Sequence, residues 1–207
     1  MALTFFLVAG LFALAYLLRF AAAAPNWPKT VTKTLSVLAL AWAARAGGAP
    51  DLIWAGLALG ALGDFFLSRP SQQAFLAGMA AFAGGHLAYV AAITGFGGGW
   101  PGWALALPLA LVLVSTEVWL APHTGELRWP VRGYVLVIGA MGLVAAGLPA
   151  GFALMQTGAL AFILSDLVLA VETFRLPAGH PLGRRLKYLL WGLYWGGQAL
   201  IAAGAMG

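Results

Sequence analysis

Apolar residues run along this chain in long unbroken stretches, without the strict alternation of a half-buried strand or the single greasy stripe of a water-soluble helix. Proline, glycine and charged residues cut it into eight such stretches, at 2–22, 30–46, 51–68, 72–95, 101–121, 130–148, 151–172 and 184–205. A helix that crosses the hydrocarbon core of a bilayer needs about 20 residues. The stretches hold 17 to 24 residues each and lack the polar alternation of a transmembrane barrel. The first stretch has no positive charge before its apolar core and ends at Arg19, not at a small-residue cleavage site. It therefore reads as a transmembrane helix, not a signal peptide. The pattern predicts an all-α integral membrane protein with eight transmembrane helices in a single transmembrane domain over residues 1–207.

Composition supports that class. Of 207 residues, 62% are hydrophobic and 8% are charged, against about 25% charged in an average soluble domain. There are no cysteines, which excludes a disulfide scaffold, thiolate nucleophiles, cysteine-ligated zinc and iron–sulfur clusters. The net charge of +5 comes from 11 Lys and Arg against 6 Asp and Glu. Sorted by connection, Arg19, Lys29, Lys33, Arg69, Arg128, Arg132, Arg175, Arg184, Arg185 and Lys187 fall on one side, and Arg45 alone on the other. That asymmetry is a positive-inside pattern. It places both termini outside the cytoplasm in a multi-pass protein of a plasma membrane, read as bacterial, and removes any need for a nucleic-acid partner.

An internal repeat is visible. Trp27-Pro28 and Trp129-Pro130 are 102 residues apart, as are Asp64 and Asp166, Gly56 and Gly158, Leu62 and Leu164, and Leu67 and Leu169. Gly84-Gly85-His86 resembles Gly196-Gly197-Gln198 at an offset of 112, which an insertion within 177–185 would accommodate. A shift of four helices preserves direction, so the expectation is two parallel four-helix repeats, 1–100 and 101–207, around a central cavity. Asp64 and Asp166 would then face one another across it at equal depth.

An ionisable group inside the bilayer costs several kcal/mol, so each is a functional candidate. Asp166 lies between Ala161-Phe162-Ile163-Leu164 and Leu167-Val168-Leu169-Ala170, with Arg175 the nearest cation in sequence. Asp64 is its repeat counterpart, closer to a helix end. Glu117 and Glu172 sit near helix ends, where interfacial pairing with arginine is the plainer role. Lys33 either snorkels to the headgroups or meets a phosphate or an aspartate. His86, Tyr134, Tyr194 and Gln198 either tie helices together or line the cavity. A three-histidine zinc site is disfavoured, because His123 and His180 fall in connections. No phosphate loop, nucleophile elbow or dinucleotide fingerprint occurs, so neither a metal nor a cofactor is expected.

Taken together, these residues resemble the YhhN-like family of membrane proteins, which includes the mammalian transmembrane lysoplasmalogenases. The resemblance rests on Gly63-Asp64 with Phe66-Leu67, on Phe75, Gly78, Phe82, His86 and Tyr89, on Arg132 with Tyr134, on Ser165-Asp166-Leu167 with Ala170 and Phe174, and on Tyr194, Gln198 and Ile201. It covers essentially the whole chain. The family often has Lys-Pro in the second helix, where this chain has Lys33-Thr34.

The resemblance implies hydrolysis of the vinyl ether of a lysoplasmalogen, a lysophospholipid, to a fatty aldehyde and a glycerophospho-base. It implies Asp64 and Asp166 as catalytic carboxyls, with Lys33, His86, Tyr134, Ser165, Tyr194 and Gln198 around the substrate. The phosphate would lie among Lys29, Lys33 and Arg132. Vinyl ethers hydrolyse by protonation of the distal alkene carbon to an oxocarbenium ion, which water then captures. Two carboxyls confined at low dielectric do not both ionise readily, so one can serve as acid and the other as carboxylate. Asp166, with the more apolar flanks, is the expected acid. The rival reading is a proton-coupled transporter or a lipid flippase or scramblase, using the repeat for alternating access. Proteoliposome uptake without a soluble product would distinguish it.

Overall fold

The computed structural model describes residues 1–177 and 179–207, and the protein is helical throughout them. Eight α-helices follow the eight apolar stretches: α1 (Ala2–Arg19), α2 (Trp27–Ala46), α3 (Asp51–Leu67), α4 (Gln72–Gly95), α5 (Trp103–Trp119), α6 (Arg128–Ala146), α7 (Ala153–Phe174) and α8 (Pro181–Ala205). Single 3₁₀ turns at Ala121–His123, Gly125–Leu127 and Ala150–Phe152 fill the connections before α6 and α7.

Local chemistry explains where the boundaries depart from the apolar stretches. α2 starts three residues early because the Asn26 side chain accepts the Lys29 backbone N–H at 2.8 Å, with Pro28 in the first turn. α8 also starts early, with Pro181 in its first turn and the His180 ring accepting the Leu182 N–H. α4 is capped by Ser71, whose hydroxyl accepts the Ala74 N–H at 3.1 Å.

Five helical segments are long and apolar enough to cross a membrane: Ala2–Arg19, Gln72–Gly95, Trp103–His123, Gly125–Ala146 and Ala150–Phe174. The helices outside that set are α2, α3 and α8, which carry Lys33, Asp64, and Tyr194 with Gln198. Thr30, Ser36, Asp64 and Gln198, within these three helices, are all buried. Their outward faces carry Val31, Leu35 and Trp42 on α2, Leu52 and Leu62 on α3, and Leu182 and Leu189 on α8. An apolar exterior around a polar interior is what lipid solvation requires.

Helices adjacent in sequence pack together within α1–α4 and within α5–α8, and the halves meet through α2 against α8 and α4 against α6. Two crossings are especially close. A Cβ on Gly85 of α4 would lie 3.0 Å from the Gly56 carbonyl of α3, and one on Gly197 of α8 would lie 2.8 Å from the Gly158 carbonyl of α7. Small residues at such positions let helix backbones approach directly. The cation-rich connections gather at one end of the bundle. There the Arg69 guanidinium lies 3.7 Å from the Trp27 ring centre, and Arg175 donates to the Trp119 carbonyl at 2.6 Å. At the opposite end Arg45 pairs with Asp51.

Candidate functional site

Asp64 and Asp166 occupy similar positions on α3 and α7 but different surroundings. Asp64 is fully buried. The Lys33 ammonium of α2 lies 2.8 Å from its Oδ1, and the Tyr194 hydroxyl of α8 donates to its Oδ2 at 2.8 Å. Behind this pair the Tyr89 hydroxyl donates to Gln198 Oε1, tying α4 to α8. Lys33 also lies 5.5 Å from the Tyr194 ring centre and 6.0 Å from that of Trp191, within cation–π range. Every surface of the Asp64 carboxylate is thus occupied by protein.

Asp166 is partly open, its side chain 16% exposed. Its Oδ2 accepts the Tyr134 hydroxyl of α6 at 2.8 Å, and His86 Nε2 of α4 lies 3.0 Å from that hydroxyl and 3.6 Å from Oδ2. Tyr134 has one proton and gives it to the carboxylate, so its oxygen accepts from His86, and the ring then carries its proton on Nε2. His86 Nδ1 is buried without a partner among the described residues, as is Gln198 Nε2. No hydrogen bond reaches Asp166 Oδ1 among the described residues.

The aspartates do not share a cavity. Asp166 lines an apolar cavity of about 90 Å³ with Tyr134, Phe82, Leu113, Ile138 and Leu167, whereas Asp64 is not part of its wall. Stacked rings stand between them. Phe162 is edge-on to both His86 (4.6 Å between centres) and Tyr194 (5.3 Å), and Phe82 is edge-on to Phe162 (6.3 Å) and Tyr194 (5.7 Å). The single central cavity with facing carboxylates is therefore replaced by an aromatic partition. Lys33 draws Asp64 into an ion pair that satisfies it within the protein, and aromatic packing fills the space. Val112 of α5 both lines the apolar cavity and is exposed at the outer surface.

The remaining candidates separate in the same way. Ser165 turns its hydroxyl back to the Phe162 carbonyl at 2.7 Å and reaches neither aspartate. Arg132 is bidentate to Glu117, with Nε 2.8 Å from Oε1, and lines no cavity with Lys29 and Lys33. Glu172 meets Lys187 at 3.6 Å, a lysine where the sequence suggested an arginine partner. Among the described residues, no three His, Asp or Glu side chains converge as metal ligands would. Sequence reasoning did not single out the Phe82–Phe162 partition, because buried phenylalanines in an apolar chain look alike until helix adjacency is known.

Comparison with known proteins gives one consistent result. The model of the YhhN family matches residues 28–205. The chain is 37% identical over 194 residues to lysoplasmalogenase TMEM86B of Homo sapiens, covering 87% of this chain and 76% of that protein. It is 32% identical over 201 residues to lysoplasmalogenase TMEM86A of Bos taurus, covering 88% of this chain and 80% of that one. No solved structure matches.

Proposed function

The chain belongs to the YhhN family, and from that premise we propose that it is a lysoplasmalogenase whose chemistry is carried by Asp166. The observation that carries the assignment is a lone carboxyl, backed by Tyr134 and His86, on the wall of an otherwise apolar cavity. A vinyl ether is an apolar functional group that must meet a proton donor with little competing water. That cavity supplies the combination.

Tyr134 and His86 both approach Oδ2, which leaves Oδ1 to hold a proton toward the cavity. Protonated Asp166 delivers that proton to the alkene carbon distal to the ether oxygen. The π electrons form the new C–H bond, and the ether oxygen shares the resulting positive charge. The Asp166 carboxylate, now anionic, faces the oxocarbenium ion in a low-dielectric cavity, where the attraction is stronger than in water. A water molecule adds to the cationic carbon and gives its proton back to Asp166. The hemiacetal then collapses: Asp166 returns its proton to the glycerol oxygen as the C–O bond to glycerol breaks, and the hemiacetal hydroxyl gives up its own proton to Asp166 as the aldehyde C=O forms. One carboxyl thus acts in turn as acid, counter-ion and base, and the Asp64–Lys33 pair positions α3 against α2 and α8 without touching the reacting atoms. General acid catalysis typically supplies about 10²–10⁴-fold, and charge stabilisation must contribute the remainder.

All eight helices cross the bilayer in this reading, with both termini outside the cytoplasm and Asp166 in the cytoplasmic half. The halves are parallel repeats. In support, each aspartate takes one partner from the preceding helix of its own half and one from the last helix of the other: Lys33 and Tyr194 for Asp64, Tyr134 and His86 for Asp166. The Gly56–Gly85 and Gly158–Gly197 crossings occupy matching places as well.

The test is aldehyde release by the purified protein from a 1-alkenyl glycerophospholipid lacking its sn-2 chain, with the saturated 1-alkyl ether as control. Release from the alkenyl lipid alone is expected. No aldehyde from either, with lipid movement across proteoliposome membranes instead, would overturn the hydrolase reading.

A further inference from the structure

A second cavity, of about 180 Å³, lies beyond Leu67 and Leu169, the two residues it shares with the apolar one. Its walls come from α1, α2, α3, α7 and α8 and include Tyr16, Lys29, Lys33, Glu172, Lys187 and Trp191. The apolar cavity is walled by α3, α4, α5, α6 and α7. Advancing every helix by four places, with α8 followed by α1, carries one set of walls onto the other and exchanges Leu67 with Leu169. The cavities are counterparts under that exchange, and their linings differ in chemistry.

The polar cavity lies at the cation-rich end. Lys29 Nζ donates to the Ala23 carbonyl at 2.6 Å, which fixes its charge in the mouth. Lys187 and Glu172 lie across from it, 3.6 Å apart and partly exposed. With Asp64 beneath Lys33, three ammonium groups meet two carboxylates in and under this cavity, one positive charge in excess. An unbalanced charge at low dielectric favours a bound counter-ion. Leu67 and Leu169 each lie three residues, about 4.5 Å of helix rise, beyond an aspartate, so a three-carbon glycerol unit lying between them would join a head on one side to an ether on the other.

We propose that the polar cavity is the headgroup subsite of the lysolipid. Lys29 and Lys187 bind the phosphodiester, Glu172 binds the terminal ammonium of an amino-alcohol head, and the Leu67–Leu169 neck passes the glycerol to Asp166. The phosphodiester's negative charge meets Lys29 and Lys187, and the ammonium of the zwitterionic head meets Glu172. The assignment rests on the lysoplasmalogenase reading for the identity of the lipid but not for the recognition of its head.

Binding and turnover separate the two. In a phosphate-free maltoside detergent, calorimetry would measure the saturated ether 1-alkyl-glycerophosphoethanolamine, the headless 1-alkylglycerol, and inorganic phosphate as competitor. The native protein should prefer the phosphorylated lipid. Lys187→Gln should weaken its binding about 10- to 100-fold, the worth of one charge-assisted hydrogen bond, and leave alkylglycerol binding unchanged. Glu172→Gln should weaken binding of the ethanolamine-headed lipid but not of the matching phosphate monoester. In turnover, Lys187→Gln should raise KM for the alkenyl phospholipid and spare headless 1-alkenylglycerol. Lys29→Gln is the second variant, although it also loosens the α1–α2 connection. Equal affinity of the native protein for phosphorylated and headless lipid, or no effect of Lys187→Gln, would overturn the subsite. Competition by inorganic phosphate as strong as that by the lipid would overturn its assignment to a lipid head. The binding pattern intact in a protein with no turnover would support the subsite and count against the hydrolase reading.

Discussion

Asp64 and Asp166 stand in matching sequence positions, yet each one's neighbours give it a different task. Asp64 is held between Lys33 and Tyr194, whereas Asp166 meets Tyr134 and His86 at a cavity wall and, in the proposed mechanism, keeps an oxygen for substrate. Removing Lys33 alone, as Lys33→Met, strands a buried carboxylate and should cost about 3–5 kcal/mol of stability, whereas Lys33→Met with Asp64→Leu should recover most of it. Thermal unfolding in detergent checks both. Tyr134→Phe should lower kcat about 10- to 100-fold, the worth of a hydrogen bond to a charged group, with KM little changed. Hydrolysis in D₂O should place one deuterium on the aldehyde carbon next to the carbonyl, in a single configuration, as delivery from a fixed acid requires. A racemic label would point instead to protonation by bulk solvent. Both aspartates were legible in the sequence because a charge in an apolar run has few tolerable roles. Their partners were not, since pairing depends on which helices touch. Lys187 was hidden among the topology-setting cations, and the Ser165 hydroxyl is consumed by its own helix.

At the level of helices, apolar run lengths placed all eight within a few residues, and the errors trace to caps such as Asn26, whose hydrogen bond outranks hydropathy locally. Glycine content was legible only as a tendency, and the structure separates its roles. Gly197 meets the Gly158 carbonyl, the Phe162 backbone and the Ala161 side chain, whereas a Cβ on Gly192 of the same helix would meet nothing within 4 Å. Gly197→Leu should therefore force α8 from α7, lower the unfolding temperature and reduce activity through displacement of Tyr194 and Phe162. Gly192→Ala should be neutral or stabilising by up to about 1 kcal/mol, the helix-propensity difference. An equal loss of stability in both would contradict the direct α7–α8 approach.

Across the whole molecule, two cavities of opposite character meet at Leu67 and Leu169. The repeat spacing suggested a cavity with facing carboxylates, and in its place stands an aromatic partition, which spacing cannot reveal. Orientation is testable without background, because the chain has no cysteine. In intact cells a membrane-impermeant maleimide should label Trp100→Cys, and should label Arg184→Cys only after permeabilisation; the reverse would invert the topology. The central claim, that Asp166 on the wall of the apolar cavity carries the chemistry, is tested most directly by the rate of aldehyde release from a 1-alkenyl lysophospholipid by Asp166→Asn, in protein whose unfolding temperature matches the native one. The account predicts a loss of at least about 10²-fold, the lower range for a general acid, and a rate close to native would contradict it.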